Sequence, residues 1–577
     1  MKIHDFPVYC MNLLERVRVL LAGSRGLLLL SLLGLISGLV VGGVIILFRL
    51  VIEMSQIAIL PGTDPENYEV IGWQGRILLS TVGGLILGII FHMASRPSPR
   101  VGVIHTLERL AYHEGHLPLK NAILQFIGGA ISIISGHSVG REGPSIHLGA
   151  ASASLLGQKL QLPNNSIRTL VACGSAAAIA ASFNTPLAGV IFAMEVIMME
   201  YTITGFTPVI LAAVSATTIS RIIFDAHSVF FVPALELNSF WELPIIILMG
   251  IFIGGISAVF TVLLKWTTRI SQVFSIWLRM PVAGLCVGLV ACVVPEVMGI
   301  GYDTVNSVLL GDLGVGILLM ILVFKLLATV ISIGFSLPAG LIGPTLFIGA
   351  MAGSITGLLL GLMTIDISHP GLYAMLGMGA MMGATLQAPL AALLALLELT
   401  GNQNIIFPGM LAIVSANLAS KELFGVGSIY ISQMKEIGLD YLNDPVAQSL
   451  RRLGVASVMN REFVIVQTEI SRQQAENIIS KAPHWLLIKR NEGYLLMPAA
   501  DLARYLEETD DKLINVLEIP SRRRQLAPVY QQSTLQQALT ILDESEAEAL
   551  YVIRRIGMSA DRIYGIITRQ DIEEAYR

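Results

Sequence analysis

Gly140-Arg-Glu-Gly-Pro-Ser-Ile-His-Leu-Gly-Ala150 returns 200 residues later as Gly340-Leu-Ile-Gly-Pro-Thr-Leu-Phe-Ile-Gly-Ala350. Both glycines of the Gly-x-x-Gly-Pro core, the proline and the closing Gly-Ala coincide, and Ser/Thr and the aliphatics match in kind. A second match follows at an offset of 203: Gly174 to Glu195 lies over Gly377 to Glu398, with Pro186-Leu-Ala over Pro389-Leu-Ala. Apolar segments resemble one another by composition, but composition does not set prolines and glutamates in register. The chain carries an internal repeat.

Each copy of the motif reads as a loop opening a helix. Proline is tolerated in a first turn because its missing N–H has no partner there anyway, and glycine lets the backbone amides turn inward. A helix N-terminus carries about half a positive charge and unpaired N–H donors, which suits an anion. Two such ends hold an anion without a full positive charge, and weak binding lets it leave again. Inverted repeats place a site of this kind near the middle of a membrane, between discontinuous helices of both halves.

Composition agrees with a membrane setting. The 577 residues are 54% hydrophobic and 14% charged, with a mean hydropathy of +0.71, whereas soluble domains carry about a quarter charged residues. No charged side chain occurs from Leu326 to Ile365, nor from Ile367 to Leu397, and a spanning helix needs only ~20 apolar residues. Glycine, alanine, serine and threonine are dense from residue 26 to 435, which suits close helix packing in lipid. Gly140–Gln158, Gly174–Pro186 and Pro338–Gly361 read as broken or short segments, tolerated at membrane depth only where they face protein or a watery cavity. The repeat halves fall at about 26–225 and 240–435.

A net charge of −4 leaves no nucleic-acid footprint. Cys10, Cys173, Cys286 and Cys292 have neither disulfide-framework nor zinc spacing. The apolar run from Gly26 to Phe48 is longer than a signal-peptide core. Lys2, Arg16, Arg18 and Arg25 precede it, so residues 1–25 are expected in the cytoplasm. A multi-pass protein of the plasma membrane (the inner membrane in a bacterium) follows, with both termini cytoplasmic.

Beyond Asn443 the sequence is of soluble type. FVIVQ, HWLLIK, GYLLM, ALYVIRR and GIIT read as strands, and ISRQQAENIISK and STLQQALTILDES as amphipathic helices. The order strand, helix, strand, strand, helix occurs twice, with Asp501 and Asp571 at matching places, giving an α/β pair divided at 443–510 and 511–577.

At these residues the sequence resembles the CLC family of chloride channels and chloride/proton exchangers, and its tail resembles a pair of CBS domains. GREGP, SFNTPLAGVIFAMEV and PAGLIGPTLFIG carry the likeness. The fold implied is an all-α polytopic membrane protein of inverted-repeat architecture with a cytoplasmic α/β CBS pair. The resemblance makes Glu142 the gate, a carboxylate that competes with chloride and swings away when protonated. The anion-binding set is then Gly140, Arg141 and Gly143 from one half and Gly340, Leu341 and Ile342 from the other. Gly102 would serve at the inner site, and Tyr430 in GSIYISQM would close the inner end of the pore. A bilayer-embedded homodimer with one pore per chain, chloride or another small anion as substrate, and no required cofactor are also implied. Adenine nucleotide at the CBS pair would meet Thr568 and Asp571; Pro498 replaces the threonine in the first copy.

Three departures bear on mechanism. Val101 and Ile104 stand where the family's inner anion loop has serine and proline, so that site loses a hydroxyl. Val196 stands at the exchangers' internal proton-acceptor position, with Glu195 turned about 100° away on a helix and Glu200 expected on nearly the same face. Gln125 replaces a lysine before the gate motif; Lys325 either stands in for that charge or snorkels to an interface. His137 and His147 flank the gate, as pH-sensing groups or as hydrogen-bonded structural ones. The function expected is chloride movement through a glutamate-gated pore, as a voltage- or pH-gated channel. Chloride/proton antiport, or passage of another anion such as fluoride, is the alternative. No Ser/His pair or HExxH motif points to an enzyme.

Overall fold

The computed structural model describes residues 15–23, 26–62, 65–94, 100–224, 230, 235–362, 368–439, 445–490, 493–545, 547–554 and 562–576. Among these, eight helices are long and apolar enough to cross a bilayer, and shorter apolar helices cover Leu119–Ile134, Pro186–Met198 and Pro389–Thr400. The chain packs as two units. One holds Ser31–Gln158 and Arg168–Tyr441; the other holds Met1–Leu30, Lys159–Ile167 and Leu442–Arg577.

The helical unit repeats element by element. Leu119–Ile134, Glu142–Lys159, Asn164–Phe183 and Pro186–Phe192 in the first half answer to Val315–Gly334, Ile342–Gly361, Pro370–Leu386 and Pro389–Thr400 in the second. The breaks repeat as well. Gly136 and Ser336 turn the chain at φ 71° and 68°, and Asn184 and Gln387 at 59° and 57°. At Asn184 and Gln387 the left-handed residue follows a helix end, and the proline two residues later starts the next helix.

Gly174 is not at a break, contrary to the reading of Gly174–Pro186 as an interrupted segment. It lies inside the continuous helix Asn164–Phe183. A Cβ there would lie 2.2 Å from the carbonyl oxygen of Gly149, and one at Gly149 would lie 2.2 Å from that of Gly174. Gly349 and Gly377 meet in the same way, at 2.3 and 2.2 Å. These glycines exist for close helix crossing, the lipid-phase substitute for hydrophobic association.

The tail contains strands β1 (Phe463–Val466), β2 (Glu469–Ser471), β3 (Trp485–Arg490), β4 (Gly493–Pro498), β5 (Leu513–Asn515), β6 (Arg524–Tyr530), β7 (Ala549–Arg554) and β8 (Arg562–Thr568). Six form one sheet in the order β1-β3-β4-β6-β7-β8, and β2 pairs with β5. The parallel pairs β1/β3 and β6/β7 are each joined through a helix opened by a capping box, Ser471 with Gln474 and Thr534 with Gln537. The change of core falls later than residue 510. Ile514, Val516 and Ile519 pack with Ala475 and Leu486 of the first copy, and β5 returns to pair with β2.

Candidate functional site

Glu142 opens the helix Glu142–Lys159, and Ile342 opens its counterpart Ile342–Gly361. Just ahead of them, Gly140 and Gly340 form an antiparallel bridge that holds the two openings together. The Glu142 side chain is 1% exposed and lies against glycine backbone. A Cβ at Gly140 would sit 1.9 Å from its Oε2, one at Gly340 2.8 Å from the same atom, and one at Gly343 2.8 Å from Oε1. Any side chain at these positions would occupy the carboxylate's place. Oε1 accepts a long hydrogen bond from the Tyr302 hydroxyl at 3.4 Å, whereas buried Oε2 has no protein partner.

A cavity of about 420 Å³ gathers Gly102, Gly143, Gly340, Leu341 and Tyr430 in its wall. Gly102 begins the helix Gly102–Tyr112 in the left-handed region, at φ 83°. Val101 at its N-cap provides no side-chain hydrogen bond, so that first turn joins the cavity wall without a hydroxyl from this position. Tyr430, in the short helix Ile429–Glu436, is buried in the same wall. Arg279 lines the cavity too and brings a charge that attracts small anions, whereas Arg100 in the same wall is paired with Glu108 at 2.6 Å. Ile342 and Glu142 line a separate, nearly apolar space of about 30 Å³ beside Phe183 and Phe192.

The Arg141 side chain lies elsewhere. Its guanidinium donates to the Ser182 carbonyl at 2.9 Å and lies over Phe183 and Tyr302. Its side chain does not line the large cavity.

Val196 is buried in the core of a π-helical segment, Ala193–Met198. Glu195 accepts from the amides of Leu390 at 3.3 Å and Ala391 at 2.7 Å. Glu200 does not continue the face of Val196. The helical segment stops at Met198, Met199 turns left-handed at φ 54°, and the one-turn spacing no longer applies.

Lys325 does not snorkel. It is fully buried, and its Nζ donates to the carbonyls of Val297 and Gly299 at 3.0 Å and Ile300 at 3.4 Å. Gln125, its repeat partner, donates to the Pro338 carbonyl at 3.0 Å. His137 is held by Ser135 and Ser132, and His147 meets His105 at 2.8 Å. Both are hydrogen-bonded, buried rings. In the tail, Asp571 Oδ2 accepts from the amide and hydroxyl of Thr568 at 2.7 and 2.8 Å, so these two residues cap the last helix. Tyr302 escaped the sequence reading. Its signal was the repeat itself, because Gly301-Tyr302 stands 200 residues after Val101-Gly102.

A model described as voltage gated chloride channel matches residues 83–421. A putative chloride channel protein ClcB-like from Ralstonia nicotianae is 32% identical over 392 residues, covering 65% of this chain and 89% of the relative. An H(+)/Cl(-) exchange transporter ClcA from Vibrio cholerae is 30% identical, over 54% of this chain and 67% of its own length. A solved eukaryotic CLC transporter shares the fold at a TM-score of 0.60 and 19% identity, over 97% of this chain and 98% of the other.

Proposed function

The chain belongs to the voltage gated chloride channel family, and on that premise we propose that it carries chloride passively across a membrane, gated by Glu142. The observation that carries this reading is the meeting of Gly102, Gly143, Gly340, Leu341 and Tyr430 on one cavity, with the Glu142 carboxylate resting on Gly140, Gly340 and Gly343. Helix openings from both halves supply amide donors, and a carboxylate in the same place competes with an anion for them. When Glu142 is protonated it loses its charge, and chloride takes its place.

Passive flow is favoured over proton exchange because no acid is placed to feed protons to Glu142 along Ala193–Met198. Val196 cannot titrate, Glu195 is held by two backbone amides, and Glu200 follows the end of the helix. The gating is by voltage or pH. The Vibrio relative is named an exchanger, which makes chloride/proton antiport the competing reading; fluoride is the competing anion.

Both termini are taken to be cytoplasmic, in a plasma membrane or bacterial inner membrane, with two chains forming a dimer of separate pores. The tail is read as a CBS pair that supports the assembly, with one adenine-nucleotide site at Thr568 and Asp571. Transport, not catalysis, is the proposed role.

The test is chloride efflux from proteoliposomes with simultaneous proton recording. A chloride gradient is expected to move chloride without moving protons. Stoichiometric proton uptake in the opposite direction would replace the channel reading by the exchanger.

A further inference from the structure

A second cavity, of about 40 Å³, borders the gate helix and shares no residue with the large one. Arg49, Glu53, Glu66, Arg141 and Ser182 lie in its wall. Arg49 is neutralised by Glu53 at 2.5 Å and stacked on Phe224. Arg141 Nε and Ser182 Oγ, in contrast, are buried with no partner, and Ser182 is only 3% exposed. Buried donors left unpaired are unfavourable, and the space admits a guest of water or halide size. A guanidinium N–H and a hydroxyl left without partners on residues that border one small space suit an anion.

Glu66 faces these donors. Among the described residues it makes no ion pair, and its backbone sits at φ 73°, where a side chain is unfavourable. The loop that carries it is fixed by Tyr68, which accepts from Gln56 at 2.9 Å and donates to the Ile133 carbonyl at 2.8 Å. Glu66 and Arg141 thus share the wall of the cavity.

We propose that this cavity is a second anion site, in which Arg141 and Ser182 bind a halide-sized anion and the charged form of Glu66 excludes it. The proposal rests on the anion-transport reading above and places the site on the external side, with the loop after Ile59. Burial pushes the Glu66 carboxyl up to about 7; Arg141 and Lys325 and the Gly301 amide oppose that shift, and Asp303 adds to it. Arg49 and its partner Glu53 also face the group. Below that pH Glu66 is neutral, its charge no longer opposes a guest beside Arg141, and the anion binds. Above it the carboxylate takes the anion's place. The site reaches the gate through Arg141, which precedes Glu142 and lies over Tyr302 at 5.7 Å, the residue whose hydroxyl meets Glu142. External halide and external protons therefore act together on the gate.

The test is anomalous scattering from bromide in crystals of the full chain at pH 5.5 and pH 8.5, for wild type, Glu66→Gln and Ser182→Ala. Wild type is expected to show a bromide peak beside Arg141 Nε at the lower pH only. Glu66→Gln should show it at both, and Ser182→Ala should lose at least half its occupancy. A bromide peak at Gly143 and Leu341 reports independently on the transport site. That peak alone, with none beside Arg141 in any variant, would overturn the second site while leaving the transport reading intact. A peak beside Arg141 without one at Gly143 would support the second site and count against the transport site. A peak beside Arg141 equally strong at both pH values in wild type would remove Glu66 from its role and overturn the proposal.

Discussion

Gly140 and Gly340 are hydrogen-bonded to each other twice, the amide of each donating to the carbonyl of the other at 2.8 Å. They are repeat partners, so the pseudo-symmetry axis of the duplication passes between them. This is the position where the gate carboxylate lies. With glycine on both strands, the helix openings approach closely enough to share one anion; with any side chain they would not. Gly140→Ala is expected to push the Glu142 carboxylate out of its cradle, because the new Cβ would meet Oε2 at 1.9 Å. Chloride efflux from liposomes should rise severalfold, and Gly140→Ala combined with Glu142→Gln should show no further increase. Additive effects would mean that the alanine acts elsewhere.

Glu142→Gln keeps the shape of the side chain and removes its charge. Efflux should become faster at neutral pH and lose its dependence on pH, since the carboxylate that changes charge in the cradle has gone. Retention of the wild-type pH profile would move the gate to another group.

Lys325→Met should destabilise the helical unit by about 1–3 kcal/mol, the cost of leaving buried carbonyls unpaired. Three of them, at Val297, Gly299 and Ile300, depend on its Nζ. Lys325→Gln should cost less, because Gln125 already meets a carbonyl at the matching place of the other half. Thermal unfolding in detergent micelles measures both, and the order Met below Gln below wild type is the expected ranking.

Asp571→Ala should loosen the end of the tail by about 1 kcal/mol, the usual worth of an N-cap, because the carboxylate accepts both the amide and the hydroxyl of Thr568. Denaturant unfolding followed by tryptophan or tyrosine emission reports it. Binding of adenine nucleotide, read by calorimetry, should weaken in the same variant if the two residues also form the ligand site.

The duplication was legible because glycine and proline record backbone constraints that hold wherever the fold is repeated. Gly140, Gly340, Pro186 and Pro389 carry those constraints in one-letter form. The acids were harder to place. Glu200 was expected one regular turn beyond Val196, but a π-helical segment and a left-handed Met199 end the helix first, and neither has a composition signal. Tyr302 and Glu66 come to the gate region from loops and a short helix far away in sequence, so only the folded chain brings them there. Arg141 enters the anion-binding set through the family resemblance alone, and only the folded chain shows its guanidinium turned to the Ser182 carbonyl.

Glu195 and Glu398 close the same symmetry from its other end. Glu398 accepts from the amides of Leu187 and Ala188 at 3.0 and 2.8 Å, while Glu195 does the same for Leu390 and Ala391. Each acid thus satisfies the open N-terminus of the helix that belongs to the other half. A carboxylate in this position is stabilised by the amides and by the helix dipole, together worth about 1–2 kcal/mol at a partly buried site. Glu195→Gln and Glu398→Gln should therefore each cost about 1 kcal/mol in unfolding free energy, since the amide oxygen accepts but carries no charge. Chloride flux per folded protein should be unchanged, and no proton movement should appear or vanish. Loss of proton movement in Glu195→Gln would instead identify Glu195 as the proton acceptor that Val196 cannot be, and would return the chain to the exchangers.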